Sequence, residues 1–349
     1  MIKILVIGNG FDLAHGLATK YTDFLQFLKT FSEKAYINQK IASDKVCILD
    51  SEAEEIKKEK RKEIYEHTLE LNHTMFPEIP KESLQFLFIN AMKNTLIKYF
   101  FMKMKKLPEY WIDFEKEIEK IITDYKLFFI DSKIHPLKYE YLQIWGEKTN
   151  RITFWNKLKR DLTKLRECLR IYLTYCLDYS QITDYPEEIY KENFDKLLSF
   201  NYTDTYNRIA EREAYKKITN ENIHYIHGTI NNIVLGISNI DPDDYEIVYF
   251  KKVFQRFQQH TGINYANWLN KDDIKTVTFF GHSLDATDGD MIKKLILSSK
   301  ITTIYYYNQS DYEQKVINLM KIFSVEGLEK LYYNDRIITF KSLKNSNAE

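Results

Sequence analysis

Residues 1–7, Met1-Ile2-Lys3-Ile4-Leu5-Val6-Ile7, form a short apolar run that breaks directly into Gly8-Asn9-Gly10. Apolar residues on both faces of so short a run read as a strand covered on both sides, the kind found inside a parallel sheet. The glycines end it. Helix-compatible residues follow from about Phe11, and a second helix opens near Thr22-Asp23 with Phe24, Leu25, Phe27 and Leu28. A buried strand, a glycine turn and a helix in that order constrain the chain to an α/β architecture.

The same alternation returns after Tyr190. Lys196–Phe200, His224–His227, Ile233–Ile237, Thr276–Phe280 and Thr302–Tyr307 read as short strands. A helix carrying Ile292, Leu295 and Ile296 follows from Asp290, and another starts at Ser310. Strands alternating with helices predict parallel pairing through right-handed crossovers. The expected fold class is α/β, a Rossmann-like parallel sheet with a large, mainly helical insertion. At about 150 residues per domain, 349 residues suit two domains or one domain with an insertion.

The middle of the chain is helical in character. Only 10 glycines and 6 prolines occur in the whole sequence, which favours long helices. Ile152–Tyr179 places Phe154, Leu158, Leu162, Leu165, Leu169, Leu173 and Cys176 on one stripe, and Trp111–Lys126 repeats Trp111, Phe114, Ile118 and Ile121 at the same period. Ser51–His67 is dominated by Glu and Lys and reads as a solvated helix. These features predict an α/β domain from residues 1–30 and 191–343, a helical insertion or cap over 31–190, and a disordered tail over 344–349.

Lys and Arg total 50 and so do Asp and Glu, which weighs against nucleic acid as a partner. Cys47, Cys168 and Cys176 fit neither a disulfide framework nor a zinc spacing. The N-terminal apolar run is too short for a secretion signal, and Leu84–Met104 is interrupted by Lys93, Lys98 and Lys103, so neither export nor a membrane partner is expected. The expected location is the cytoplasm.

Four segments carry candidate chemistry, each at a strand end. In Gly8-Asn9-Gly10-Phe11-Asp12-Leu13-Ala14-His15-Gly16, glycines allow a backbone to approach a phosphate, although the third glycine falls late for a dinucleotide fingerprint. Asp12 reads as a helix-start residue or as a partner for a ligand hydroxyl, and His15 as packing or contact. In Phe200-Asn201-Tyr202-Thr203-Asp204, Asn201 stands ahead of the helix and can donate and accept, while Thr203 and Asp204 read as caps or as ligand contacts. In Ile226-His227-Gly228-Thr229, His227 suits a general base near neutral pH. In Gly281-His282-Ser283-Leu284-Asp285, Gly281 permits close approach, and Ser283 and Asp285 suit ribose or phosphate-linked groups. Asp288 or Asp290 reads as the cap of the next helix. The spacing lacks the second glycine of a serine-hydrolase elbow. Asp113 and Glu115 form a weaker candidate. In a parallel sheet all four strand ends fall on one edge, so a single crevice would collect them.

The order of these segments resembles the bacteriophage abortive-infection family AbiH. Its motifs are matched by Gly8 to Tyr21, Trp111 to Glu115, Phe200 to Thr203, His224 to Gly228 and Gly281 to Asp288. A more distant similarity is to sirtuin-like NAD-binding domains, through Gly8-Asn9-Gly10, Asn201, His227-Gly228, Gly281 and Ser283. Three departures stand out: Asn9 replaces an alanine, Ala18 a proline, and Thr203 an aspartate.

The resemblance implies an antiphage protein that binds NAD or a related nucleotide and hydrolyses its nicotinamide–ribose bond. Asn201 and His227 would be the catalytic pair. Gly8, Asn9, Gly10, Asp12, Thr203, Asp204, Gly228, Gly281, Ser283 and Asp285 would bind the nucleotide. No metal is expected. A second copy of the chain or a phage trigger protein are candidate partners. The alternatives are a non-catalytic nucleotide sensor and a metal-dependent nuclease using His227, Asp285 and Asp288.

Overall fold

A computed structural model describes residues 2–46, 73–74, 76–106, 112–146, 150–237, 245–261, 268, 274–333 and 337–343. The expectations for Cys47, Ser51–His67, Trp111 and the tail over 344–349 lie outside the described residues. In chain order the elements are β1 (Ile2–Ile7), α1 (Asn9–Ala14), α2 (Tyr21–Val46), α3 (Lys81–Lys93), α4 (Thr95–Lys106), α5 (Phe114–Ile130), α6 (Tyr139–Trp145) and α7 (Arg151–Tyr175). They continue with α8 (Glu187–Lys191), β2 (Lys196–Ser199), α9 (Thr205–Arg212), β3 (Ile223–Tyr225), α10 (Lys252–Gln258), β4 (Ile274–Phe280), α11 (Gly289–Ser298), β5 (Ile301–Tyr306), α12 (Gln309–Phe323), α13 (Val325–Tyr333) and β6 (Ile337–Ser342). They fall into two compact units, Met1–Thr19 with Asp178–Glu349, and Lys20–Leu177.

The first unit is built on a six-stranded sheet of order β3-β2-β1-β4-β5-β6, parallel throughout. It is the Rossmann-like sheet that the strand pattern predicts. β1 is central, with Leu5 opposite Leu197 on one side and Thr278 on the other. Its alternation sets two cores. Ile4 and Val6 join Leu198, Phe279 and residues of α11 and α12 on one face, while Leu5 and Ile7 join Leu197, Tyr206 and Phe280 on the other. Each fully buried aliphatic side chain contributes roughly 1.5–3 kcal/mol by leaving water, which fixes the register of β1. The order reverses between β1 and β4, and in such sheets the crevice at that reversal is where ligands sit.

Two segments differ from the sequence reading. Ile233–Ile237 forms no strand beyond one bridge between Ile237 and Lys251. Its backbone is satisfied in another way: the Gln255 amide accepts from the Leu235 N–H at 3.0 Å and donates to the Leu235 carbonyl at 3.0 Å, replacing a neighbouring strand with one side chain. The sixth strand is instead β6, a partly exposed edge that pairs with β5 from Ile301 opposite Ile337 onward.

The second unit is a helical assembly. The Asn150 side chain caps α7 by accepting from the Thr153 N–H at 2.9 Å, and Phe154, Leu158, Leu162 and Leu165 are buried along one stripe. Asp161 is also buried. Its carboxylate accepts from the Thr95 N–H at 3.0 Å and from the Thr95 hydroxyl, closing the start of α4. Asp113 caps α5 through the Lys116 N–H at 3.1 Å. Burial pushes the Cys176 thiol up to about 12, consistent with a packing role. Among the described residues no helix is long and apolar enough to cross a membrane.

Gln255 is completely buried. Gln255→Ala is therefore expected to leave the Leu235 N–H and carbonyl unpaired and to lower stability by roughly 2–4 kcal/mol, read as a lower urea midpoint at unchanged slope. Unchanged stability would mean that water replaces the amide.

Candidate functional site

The loop after β1 and the loop after β4 are in backbone contact. The Gly8 N–H donates to Phe280 O at 3.2 Å, and the Gly10 N–H donates to Gly281 O at 2.8 Å. A Cβ on Gly10 would lie 2.8 Å from the Gly281 Cα, and one on Gly8 would lie 2.8 Å from the His282 Cα. Gly281 has φ +65°, and a Cβ there would lie 2.1 Å from the Phe11 nitrogen. These glycines therefore serve loop-on-loop packing first. The amides of Gly8 and Gly10, which the sequence reading gives to a diphosphate, are engaged within the protein. The Asn9 side chain accepts from the Thr19 hydroxyl at 2.6 Å.

On the α1 and α9 side of this contact lies a buried polar knot. The Asp12 carboxylate accepts from the Thr203 and Thr205 hydroxyls, each at 2.6 Å. The Asn201 amide donates to Gly8 O at 3.0 Å, tying the β2 loop to the β1 loop. The same side chain is also hydrogen-bonded to Asp12. Asp204 precedes α9 without capping it and accepts from the Tyr225 hydroxyl at 3.0 Å. His15 is a packing histidine: its ring nitrogens contact Phe11 O at 2.6 Å and the Tyr190 hydroxyl at 2.7 Å.

On the opposite side lies a charged cluster. The Phe200 ring, next to Asn201, packs against His227 at 5.4 Å and His282 at 4.2 Å between centroids. His227 Nε2 lies 3.5 Å from Asp288 Oδ1, and Lys252 Nζ lies 3.4 Å from the same oxygen and 3.5 Å from Nε2. The side chains of His227, Asp288 and Lys252 are 13 %, 10 % and 3 % exposed, so this charge sits largely out of water. The His282 Nδ1 accepts from the Leu284 N–H at 3.0 Å, which places the ring's own hydrogen on Nε2. Burial penalises extra charge at His282 and pushes it down to about 4. Asp288 is itself desolvated, but the neighbouring Lys252 charge and the His227 hydrogen bond more than offset that and hold its carboxyl well below the usual range.

The remaining predicted residues frame this cluster. Gly228 has φ +78° in a tight turn, where a Cβ would lie 2.0 Å from Asn232 O. Ser283 is exposed, and its carbonyl accepts from Asn318 at 3.0 Å. Asp285 caps the short turn Ala286–Asp288 by accepting from the Thr287 N–H at 3.0 Å. Asp288, read as a helix cap, makes no such bond. His224 lies apart from His227, with its ring 4.1 Å from that of Trp268. Among the described residues no three His, Cys, Asp or Glu side chains come together as a metal-holding group. Lys252 and His282 are the members of the site that sequence reasoning missed. His282 lies inside the Gly281–Asp285 segment, whereas nothing around Lys252 marks it.

A family model described as bacteriophage abortive infection AbiH matches residues 4–307, a span that includes every residue of both clusters. The chain belongs to this family. Membership in AbiH points to a role in abortive infection of bacteriophage. No curated protein and no solved structure matches the chain.

The polar knot gives this AbiH chain a distinct pH signature. Burial raises Asp12 from 3.8 to about 6, against the opposing hydrogen bonds from Thr203 and Thr205. The native state thus holds this proton more tightly than the unfolded chain does. The resulting stability is full below pH 3.8 and is lost as pH rises through about 6. His15 and His282 act in the opposite sense: each is lowered from 6.5 to about 4, so their contribution is lost as pH falls. Comparison with Asp12→Asn isolates the aspartate. Wild-type stability relative to that variant is expected to fall by roughly 2–3 kcal/mol between pH ~4 and pH ~7.5, measured by urea unfolding. A pH-independent difference would refute the buried, titrating assignment.

Proposed function

We propose that this protein binds NAD or a related nucleotide at the C-terminal edge of its sheet and hydrolyses the nicotinamide–ribose bond as its contribution to abortive infection. One observation carries the reading. His227, from the turn after β3, reaches Asp288, from the turn after β4, at 3.5 Å across the ends of the two strands between them. The reversal of strand order and a desolvated acid–base group thereby coincide. The similarity of Asn201, His227-Gly228, Gly281 and Ser283 to sirtuin-like NAD-binding domains supports the dinucleotide as ligand.

Cleavage of an N-glycosidic bond builds positive charge on the ribose, so the protein's task is to hold the sugar, exclude bulk water and direct one water. His227 takes the proton of that water or of a ribose hydroxyl. The Asn201 amide oxygen orients the hydroxyls, since its NH2 group bonds Gly8 O and Asp12. A second reading is that the loops hold a nucleotide without turning it over and the protein acts as a sensor.

Purified protein incubated with NAD, alone and with lysate of phage-infected cells, separates the two. Hydrolysis predicts free nicotinamide and a loss of about 100-fold or more in His227→Ala. Thermal stabilisation by NAD without nicotinamide release selects the sensor. Release at the wild-type rate from His227→Ala would overturn the mechanism.

A further inference from the structure

Asp288 and Lys252 both depart from what their positions favour. Asp288 stands immediately before α11, where an aspartate ordinarily accepts from helix amides, yet its side chain makes no cap bond. Lys252 opens α10, placing an ammonium at the positive end of a helix, and it is almost fully buried there. Such departures from local preference concentrate at functional sites. Here both side chains converge on one atom, His227 Nε2.

An ammonium only donates and a carboxylate only accepts, whereas a neutral imidazole carries one N–H. Nε2 therefore has two exclusive states. As a lone pair it accepts from Lys252, and Asp288 then keeps the lysine alone. As an N–H it donates to Asp288, and the buried carboxylate receives both neighbours, Lys252 at 3.4 Å and His227 at 3.5 Å. A carboxylate this far from water is stabilised by every donor it gains, so the second state prevails. We propose that Asp288 is a positioning residue that fixes His227 as the Nε2–H tautomer, leaving Nδ1 as the atom that accepts the proton in the reaction.

This rests on the hydrolytic reading for its chemistry. The water oxygen bonds to the ribose carbon as the carbon–nitrogen bond breaks. That bond's electron pair leaves with neutral nicotinamide. The water proton passes to Nδ1 and then to solvent, and Asp288 faces the transient imidazolium charge.

Ring 15N NMR of the whole protein, recorded where the histidines are neutral and assigned by comparison with His227→Ala, tests the tautomer without requiring turnover. Wild type is expected to show Nε2 protonated and Nδ1 bare. Asp288→Ala is expected to reverse them, because Lys252 then becomes the partner of Nε2, and Lys252→Met is expected to leave them as in wild type. Should Asp288→Ala not fold, the wild-type and Lys252→Met spectra still decide. A wild-type Nδ1–H ring, or reversal caused by Lys252→Met, overturns the proposal. The expected spectra support it even if NAD is not cleaved, in which case only the hydrolytic reading fails. If NAD is cleaved, Asp288→Ala is expected to reduce the rate by about 100-fold or more.

Discussion

The contact on which the site depends is the approach of two backbones, the loop after β1 against the loop after β4. Gly8, Gly10 and Gly281 meet there with no room for a single Cβ. Because the amides of Gly8 and Gly10 donate to Phe280 O and Gly281 O, the two loops extend the pairing of β1 and β4 past the ends of the strands. Everything else at the sheet edge is placed relative to this join. Asn201 reaches it through Gly8 O, and His282 lies against it on the opposite side.

Around that join the protein divides its polar groups by kind. On one side a carboxylate with two hydroxyl donors forms a knot that holds its proton more tightly than usual, because burial makes the charged form of Asp12 expensive. On the other, Lys252 offsets the charge of Asp288 and the desolvation is met by ion pairing. The first arrangement suits holding loops together. The contrast follows from one difference, a nearby cation.

Much of the fold was legible in the sequence because apolar runs at strand length leave few alternatives. β1, β2 and β4 were read from Ile, Leu, Val and Phe content and β5 from Thr, Ile and Tyr, and their common edge followed from parallel pairing. Ile233–Ile237 has the same composition yet makes only one bridge, since the pairing of its backbone is decided by a glutamine 20 residues away. β6 escaped notice because a partly exposed edge strand carries a weaker pattern. In the site, Asn201, His227 and Gly281 announced themselves at strand ends. Asp288 was read as a cap because an aspartate before a helix ordinarily is one. Lys252 gave no signal, because nothing in a sequence says that one lysine among 50 basic residues turns inward.

The way α10 and the segment before it are attached has a consequence of its own. Leu235 is held by the Gln255 amide, Ile226 O by Arg256 at 3.1 Å and Val234 O by the Tyr202 hydroxyl at 3.0 Å, beside backbone bonds from the Ile226 N–H to Ser199 O at 2.8 Å and from the Ile230 N–H to Tyr202 O at 3.0 Å. Ladder pairing yields only when whole strands part, but a side-chain tie yields when one rotamer changes. The turn that carries His227 is thus pinned to the β2 loop by main chain and side chains together, and its imidazole stays where it is only while both kinds of tie hold.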